Sequence, residues 1–147
     1  MREAWTVNGE RAKFAPYEMR TSVIKVISYE QKNLKGLLAN PYFGQEVYFG
    51  SLPQLIFLVE GMLDDLNCPQ KGMESRNFRK DDAPAQKIVK NVPQEAAGPV
   101  LASFKLNILF RQNASWQGSV IWMEKGMESQ FRSLLELIIL MDSVLDP

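Results

Sequence analysis

The chain has 147 residues, 46% hydrophobic and 23% charged, the proportions of an ordinary folded domain large enough to bury a core. Its 17 basic and 17 acidic side chains cancel, which removes the net basic field that favours nucleic acid or an anionic membrane. With no histidine and one cysteine, Cys68, the chain has no histidine triad, cysteine zinc site or intrachain disulfide, and it fits a reducing, cytoplasmic setting.

Residues 1–20 open on Met1-Arg2-Glu3-Ala4-Trp5, without the apolar core of a secretory signal, so export is not expected. Trp5, Phe14 and Tyr17 are expected to dock this arm onto the body. A β-branched strand follows at 23–29, then a polar turn from Gln31 to Lys35 that ends on Gly36. A second strand is expected at about 37–40, turn residues at 40–44, and a third strand at about 45–49. Ser51-x-x-Gln54 is a capping box, and Pro53 suits the first turn of the helix it opens. Leu52, Leu55, Ile56, Val59, Met62, Leu63 and Leu66 form the apolar stripe of that helix.

Residues 67–100 carry Pro69, Pro84, Pro93 and Pro99 and a charged cluster at 74–82, and read as a connecting loop with a short helix or strand at 86–92. In the next strand, at 105–111, alternation puts Lys105, Asn107 and Arg111 on one face and Leu106, Ile108 and Phe110 on the other. The turn at 113–117 ends on Gly118, and strands at about 119–123 and 127–131 lead to a second capping box, Ser133-x-x-Glu136. Leu134, Leu137, Ile138, Met141 and Leu145 make a stripe, while Leu135, Ile139, Leu140 and Val144 fill other faces of the helix. Such a helix is either central in the fold or one face of a homodimer. Its longest apolar run, 137–141, is too short to span a bilayer, so no membrane partner is expected.

These two series are one pattern read twice. Shifted by 82 residues, positions 36–64 fall on 118–146 without a gap. Identity is found at Gly36/Gly118, Gly44/Gly126, Glu46/Glu128, Phe49/Phe131, Ser51/Ser133, Leu52/Leu134, Leu55/Leu137, Ile56/Ile138, Leu58/Leu140, Leu63/Leu145 and Asp64/Asp146. The expected architecture is therefore α+β and a single domain over 1–147. It consists of two tandem βββα repeats, at about 22–66 and 101–146, joined by the loop at about 67–100. An antiparallel sheet is packed by two helices about a pseudo-twofold axis. Gly36 and Gly118 are expected at positive φ, at the exits of hairpin loops.

The chemistry is sparse. No phosphate loop and no nucleophile elbow is present. Glu46 and Glu128 would make a carboxylate pair if the axis brought them together; otherwise they are solvated strand residues. Asn113-x-Ser115-x-x-Gly118 fits one half of the PilZ cyclic-di-GMP signature. The other half, two arginines with three residues between them, is missing, because Arg76 and Arg79 are one residue too close. Trp116 is either an exposed anchor on this hairpin or folded over the sheet edge, like its counterpart Leu34. The candidate binding residues are Asn113, Ser115, Trp116, Gln117, Arg76 and Arg79, with no cofactor and no metal.

The segments Asn40-Pro41-Tyr42-Phe43-Gly44 with Phe49-x-Ser51-Leu52-Pro53-Gln54-Leu55, and 110–118 with Phe131-Arg132-Ser133-x-x-Glu136-Leu137-Ile138, resemble an uncharacterised family of short bacterial proteins with an internal duplication. The resemblance spans both repeats and implies a bacterial cytoplasmic protein. It brings no activity, cofactor or catalytic residue. The function expected from the chain is a non-catalytic binding or protein-interaction module with a protein partner, possible also as a homodimer through the C-terminal helix. The alternatives are a small-molecule or nucleotide sensor with its site between the repeats, and a carboxylate enzyme using Glu46 and Glu128.

Overall fold

The computed structural model describes residues 6–7, 10–11, 20–73, 76–78 and 98–147. The expected docking residues Trp5, Phe14 and Tyr17, the element expected at 86–92, and Arg79 lie outside the described residues. Two short strands, β1 (Thr6–Val7) and β2 (Glu10–Arg11), pair with each other. The main fold then runs β3 (Thr21–Ser28), β4 (Lys35–Ala39), β5 (Val47–Phe49), α1 (Leu52–Leu66), β6 (Ala102–Phe110), β7 (Gln117–Trp122), β8 (Met127–Phe131) and α2 (Leu134–Leu145). It is an α+β fold. The six strands form one antiparallel sheet in the order β5-β4-β3-β6-β7-β8. Strands β3 and β6 lie side by side at its centre, with Val23 opposite Lys105, and β5 and β8 are its edges.

Alternation along the strands decides the buried face. Ile24, Val26, Leu38, Phe104, Leu106, Ile108 and Val120 are buried and share one core with Leu55, Leu58, Val59, Met62, Leu63 and Leu66 of α1 and Leu137 and Met141 of α2. The stripe expected on α1 is present, with Leu58 added to it. Helix α2 is not buried on all sides. Leu140 and Val144 pack part-buried on the core, but Leu135 and Ile139 are 64% and 56% exposed.

Both hairpins close on the same local device. Gln31 and Lys32 have φ of 54° and 64°, and Asn113 and Ala114 have φ of 57° and 56°. Two successive left-handed residues give the tight turn whose twist matches that of the flanking strands. Asn33 N–H donates to Glu30 O and Ser115 N–H to Gln112 O, each at 3.0 Å. Beside each turn the pairing register shifts, between Val26 and Ser28 and between Ile108 and Phe110. This bulge overturns the alternation expected at the end of β6: Phe110 is 55% exposed and Arg111 only 3%.

The glycine reading also changes. Gly36 and Gly118 are not the positive-φ glycines; those are Gly44 and Gly126, at 76° and 61°. The constraint at Gly36 and Gly118 is space. A Cβ there would sit 2.0 Å from the carbonyl oxygen of Lys25 or of Asn107.

Both helix starts are capped as the sequence indicates. Ser51 Oγ accepts from Gln54 N–H at 3.3 Å and Ser133 Oγ from Glu136 N–H at 3.2 Å. The return bonds reach one residue further back. Gln54 Oε1 accepts from Gly50 N–H and Glu136 Oε1 from Arg132 N–H, both at 2.7 Å. Ser51→Ala and Ser133→Ala are each expected to cost about 1 kcal/mol, read as a drop in denaturant midpoint at unchanged slope.

The Arg132 guanidinium, and then its backbone N–H, hold the Glu136 carboxyl down at about 2, from an ordinary 4.5. A carboxyl with a depressed folded pKa stabilises the fold above its unfolded value and loses that contribution as pH falls through the folded one. The denaturation midpoint should therefore fall between about pH 4.5 and about pH 2. Glu136→Gln, which can still make the backbone bond as Gln54 does, should flatten that portion of the profile.

Candidate functional site

Helix α1 carries Glu60 and Asp64 one turn apart, so both carboxylates leave the same face. Arg111, turned inward by the bulge, meets them. Its Nη1 lies 2.6 Å from Asp64 Oδ1 and 3.3 Å from Glu60 Oε2, Nε donates to Pro69 O at 2.7 Å, and Nη2 donates to Leu63 O at 3.3 Å. Lys71 Nζ adds ion pairs to Glu60 at 3.4 Å and Asp64 at 3.3 Å. Trp116 Nε1–H donates to Glu60 Oε1 at 2.8 Å, and its ring is 4% exposed. Two cations thus balance the two carboxylates, and the indole adds a neutral hydrogen bond. The partnership of Gly72 N–H with Arg111 O, at 2.8 Å, ties the chain after α1 to the end of β6. A cleft of about 170 Å³ opens beside this cluster, lined by Ile56, Phe57, Lys71, Ala114, Ser115 and Leu134 among others.

A second cleft, of about 340 Å³, lies where the β3–β4 turn meets α2, lined by Tyr29, Lys32, Leu34, Leu52, Ile138 and Ile139 among others. Asp142 accepts from Tyr29 Oη–H and from Lys32 Nζ, both at 2.7 Å, and Lys32 also reaches Asp146 at 2.7 Å. The hydrogen bond from Lys32, then that from Tyr29, pulls the Asp142 carboxyl below its ordinary value. Burial, followed by the bond to Asp142, pushes the Tyr29 hydroxyl up.

Of the residues singled out in the sequence, Ser115 and Trp116 line the first cleft. Trp116 is a buried wall and not an exposed anchor, so the folded-over alternative holds. Ser115 Oγ accepts from Leu134 N–H at 2.9 Å, giving α2 a second N-terminal acceptor. Gln117 closes its own hairpin, accepting from Gln112 N–H at 2.8 Å and donating to Gln112 O at 2.9 Å. Asn113 is exposed at the tip, and Arg76 is exposed in 76–78; neither lines the cleft. Arg111, Lys71 and Glu60 were not singled out. Their signal would have been the bulge, which swaps the faces of Phe110 and Arg111.

Glu46 and Glu128 do not meet. They stand at opposite edges of the sheet, five strand spacings or about 24 Å apart. Glu46 instead pairs with Lys25 at 2.5 Å. The centre of the molecule, where Ile24, Leu106, Leu55 and Leu137 pack, is apolar and buried. Among the described residues no three acidic or cysteine side chains are grouped to hold a metal, and no helix is long and apolar enough to cross a membrane. No protein-family model, curated protein or solved structure matches the chain.

Removing the guanidinium leaves Lys71 as the one cation beside Glu60 and Asp64 among the described residues, with the Trp116 indole still donating to Glu60. Arg111→Ala should cost about 2–3 kcal/mol, below the about 3–5 kcal/mol of a fully buried pair because Asp64 stays part-exposed. Arg111→Lys should not restore the midpoint in a denaturant titration, since an ammonium cannot serve the four acceptors a planar fork reaches.

Proposed function

We propose that the chain is a non-catalytic protein-interaction module, one domain over 1–147, made by duplication of a βββα unit and acting in the cytoplasm. Support for the duplication extends beyond the matching residues. At the 82-residue offset the bulges coincide (26/28 with 108/110), as do the left-handed turn pairs (31–32 with 113–114), although the turn residues themselves differ. The carboxylates that receive the opposite hairpin, Glu60 and Asp142, also correspond.

The observation that carries the interaction reading is the solvent side of the two helices. Phe57 is 53% exposed, Leu135 64% and Ile139 56%, and Phe57 and Ile139 occupy corresponding positions. Burying such side chains is worth about 1.5–3 kcal/mol each, which a partner or a second copy can recover. The two clefts favour a small-molecule sensor as the second reading, because each lies between one half's hairpin and the other half's helix. Their charged groups are already paired within the chain, so a polar ligand would have to displace those bonds. The filled apolar centre favours the first reading.

The interaction reading includes a homodimer through α2. Sedimentation should then show a dimer for the wild type, and Ile139→Glu should shift it to monomer with an unchanged circular dichroism spectrum. A wild type that is monomeric at high micromolar concentration would end the dimer proposal.

A further inference from the structure

We propose that β8 and the cleft beside it form a strand-addition site for an extended segment of a partner protein, one that alternates an aromatic side chain with basic ones. The proposal deepens the interaction-module reading and rests on it.

The two edges of the sheet are unlike. Strand β5 has three residues, all buried. Strand β8 has five, the first four exposed, and no strand among the described residues pairs its outer side. It contains neither lysine nor proline, the residues that usually guard an open edge. Such an edge offers a row of main-chain donors and acceptors to an incoming strand.

An open cleft of about 190 Å³ adjoins it, lined by the apolar Phe104, Val120, Trp122, Leu140 and Val144 and also by the polar Glu128, Ser129 and Ser143. Apolar cavities of about 150 Å³ hold a benzene ring. The other half of the molecule shows how the equivalent place is filled. There Leu38, Val47, Leu58 and Met62 are buried, and the turn Pro41–Phe43 lays Tyr42 and Phe43 against the core, edge to face with centroids 5.0 Å apart. Tyr42 Oη–H donates to Asp65 at the end of α1. The turn after β7, residues 123–126, carries no aromatic residue, so Trp122 and Val144 stay part-exposed. A partner's aromatic ring supplies what the second half lacks.

Charge sets the flanking residues. Glu46 pairs with Lys25, whose place in the second half is taken by the neutral Asn107; Glu128 stands in register with Ile121 and, beyond it, Lys105, and its carboxylate has no hydrogen bond or ion pair among the described residues. Side chains alternate along a strand, so a partner that points its ring toward the cleft presents its neighbouring side chains on the face of Glu128. Lysine or arginine there supplies the missing cation.

The test is titration of the peptide acetyl-Thr-Lys-Phe-Lys-Val-Thr-amide into the ¹⁵N-labelled protein. Amide shifts should be confined to 127–131 and 140–144. The peptide with alanine for phenylalanine should bind at least about tenfold more weakly. Glu128→Lys should weaken the basic peptide and favour its glutamate counterpart. Binding should persist in Ile139→Glu, which separates this site from the helix-mediated dimer. No shifts at millimolar peptide, shifts elsewhere, or no reversal on charge exchange would overturn the proposal. Shifts of the 127–131 amides on simple dilution of the protein would also overturn it, because the occupant would then be a second copy.

Discussion

Each helix is fixed by a carboxylate that takes its hydrogen bonds from the opposite half of the chain. Glu60 of α1 is held by Trp116 and Arg111, which flank the β6–β7 turn, and Asp142 of α2 by Tyr29 and Lys32, from the β3–β4 turn. Apolar burial is non-directional and holds the helices against the sheet without specifying how far along it each one sits. The crossed bonds supply that register. They also mean that neither βββα half satisfies its own helix: the hairpin that completes the site around α1 comes from the second half, and the reverse holds for α2. The two halves should therefore unfold together.

These bonds depend in turn on the bulges. A regular strand would carry Arg111 to the solvent side of the sheet, opposite the helices. One extra residue between the pairings of Ile108 and Phe110 reverses the faces and puts the guanidinium under α1. The bulge beside Val26 delivers Tyr29 to α2 in the same way. Gly36 and Gly118 stand against the carbonyls of Lys25 and Asn107, the residues just before each shift, where a side chain would force the strands apart. Burying Arg111 is tolerable because all three of its nitrogens find acceptors, two carboxylates and two backbone carbonyls.

What could be read from the sequence was local. The capping serines, the helical stripe of α1 and the period of the strands each depend on a few neighbouring residues, and they appear where the pattern places them. What could not be read was relational. Counting by two through 105–111 gives Arg111 to solvent, because nothing in the residues themselves announces the bulge. The identity of Glu46 and Glu128 suggested a meeting at the axis. The strand order sends both to the sheet edges, and that order is settled by which strands pair, not by either segment alone. Gly36 and Gly118 were noticeable as matched glycines, but the sequence does not distinguish a need for positive φ from a need for room. The Trp116 indole shows the same gap. Its match to the buried Leu34 indicated packing, yet its acceptor, Glu60, lies 56 residues away.

Most residues that match between the halves are ones this frame requires, among them two glycines at the close approach, two at the turn before the third strand, two capping serines and the leucines beneath the helices; Glu46 and Glu128 match without sharing surroundings. Positions that differ are freed from that requirement, and their differences run in one direction. The first half closes its edge with Tyr42, Phe43 and a Lys25–Glu46 pair, so that β5 is buried. The second half has none of these and leaves Met127 and Glu128 on an open strand, with Leu135 and Ile139 exposed on the neighbouring helix. Packing of the core alone gives no reason to keep one edge sealed and the other bare. Exposed apolar and acidic groups on β8 and α2, with Phe57 on α1, are the surface that the proposed interaction module would use.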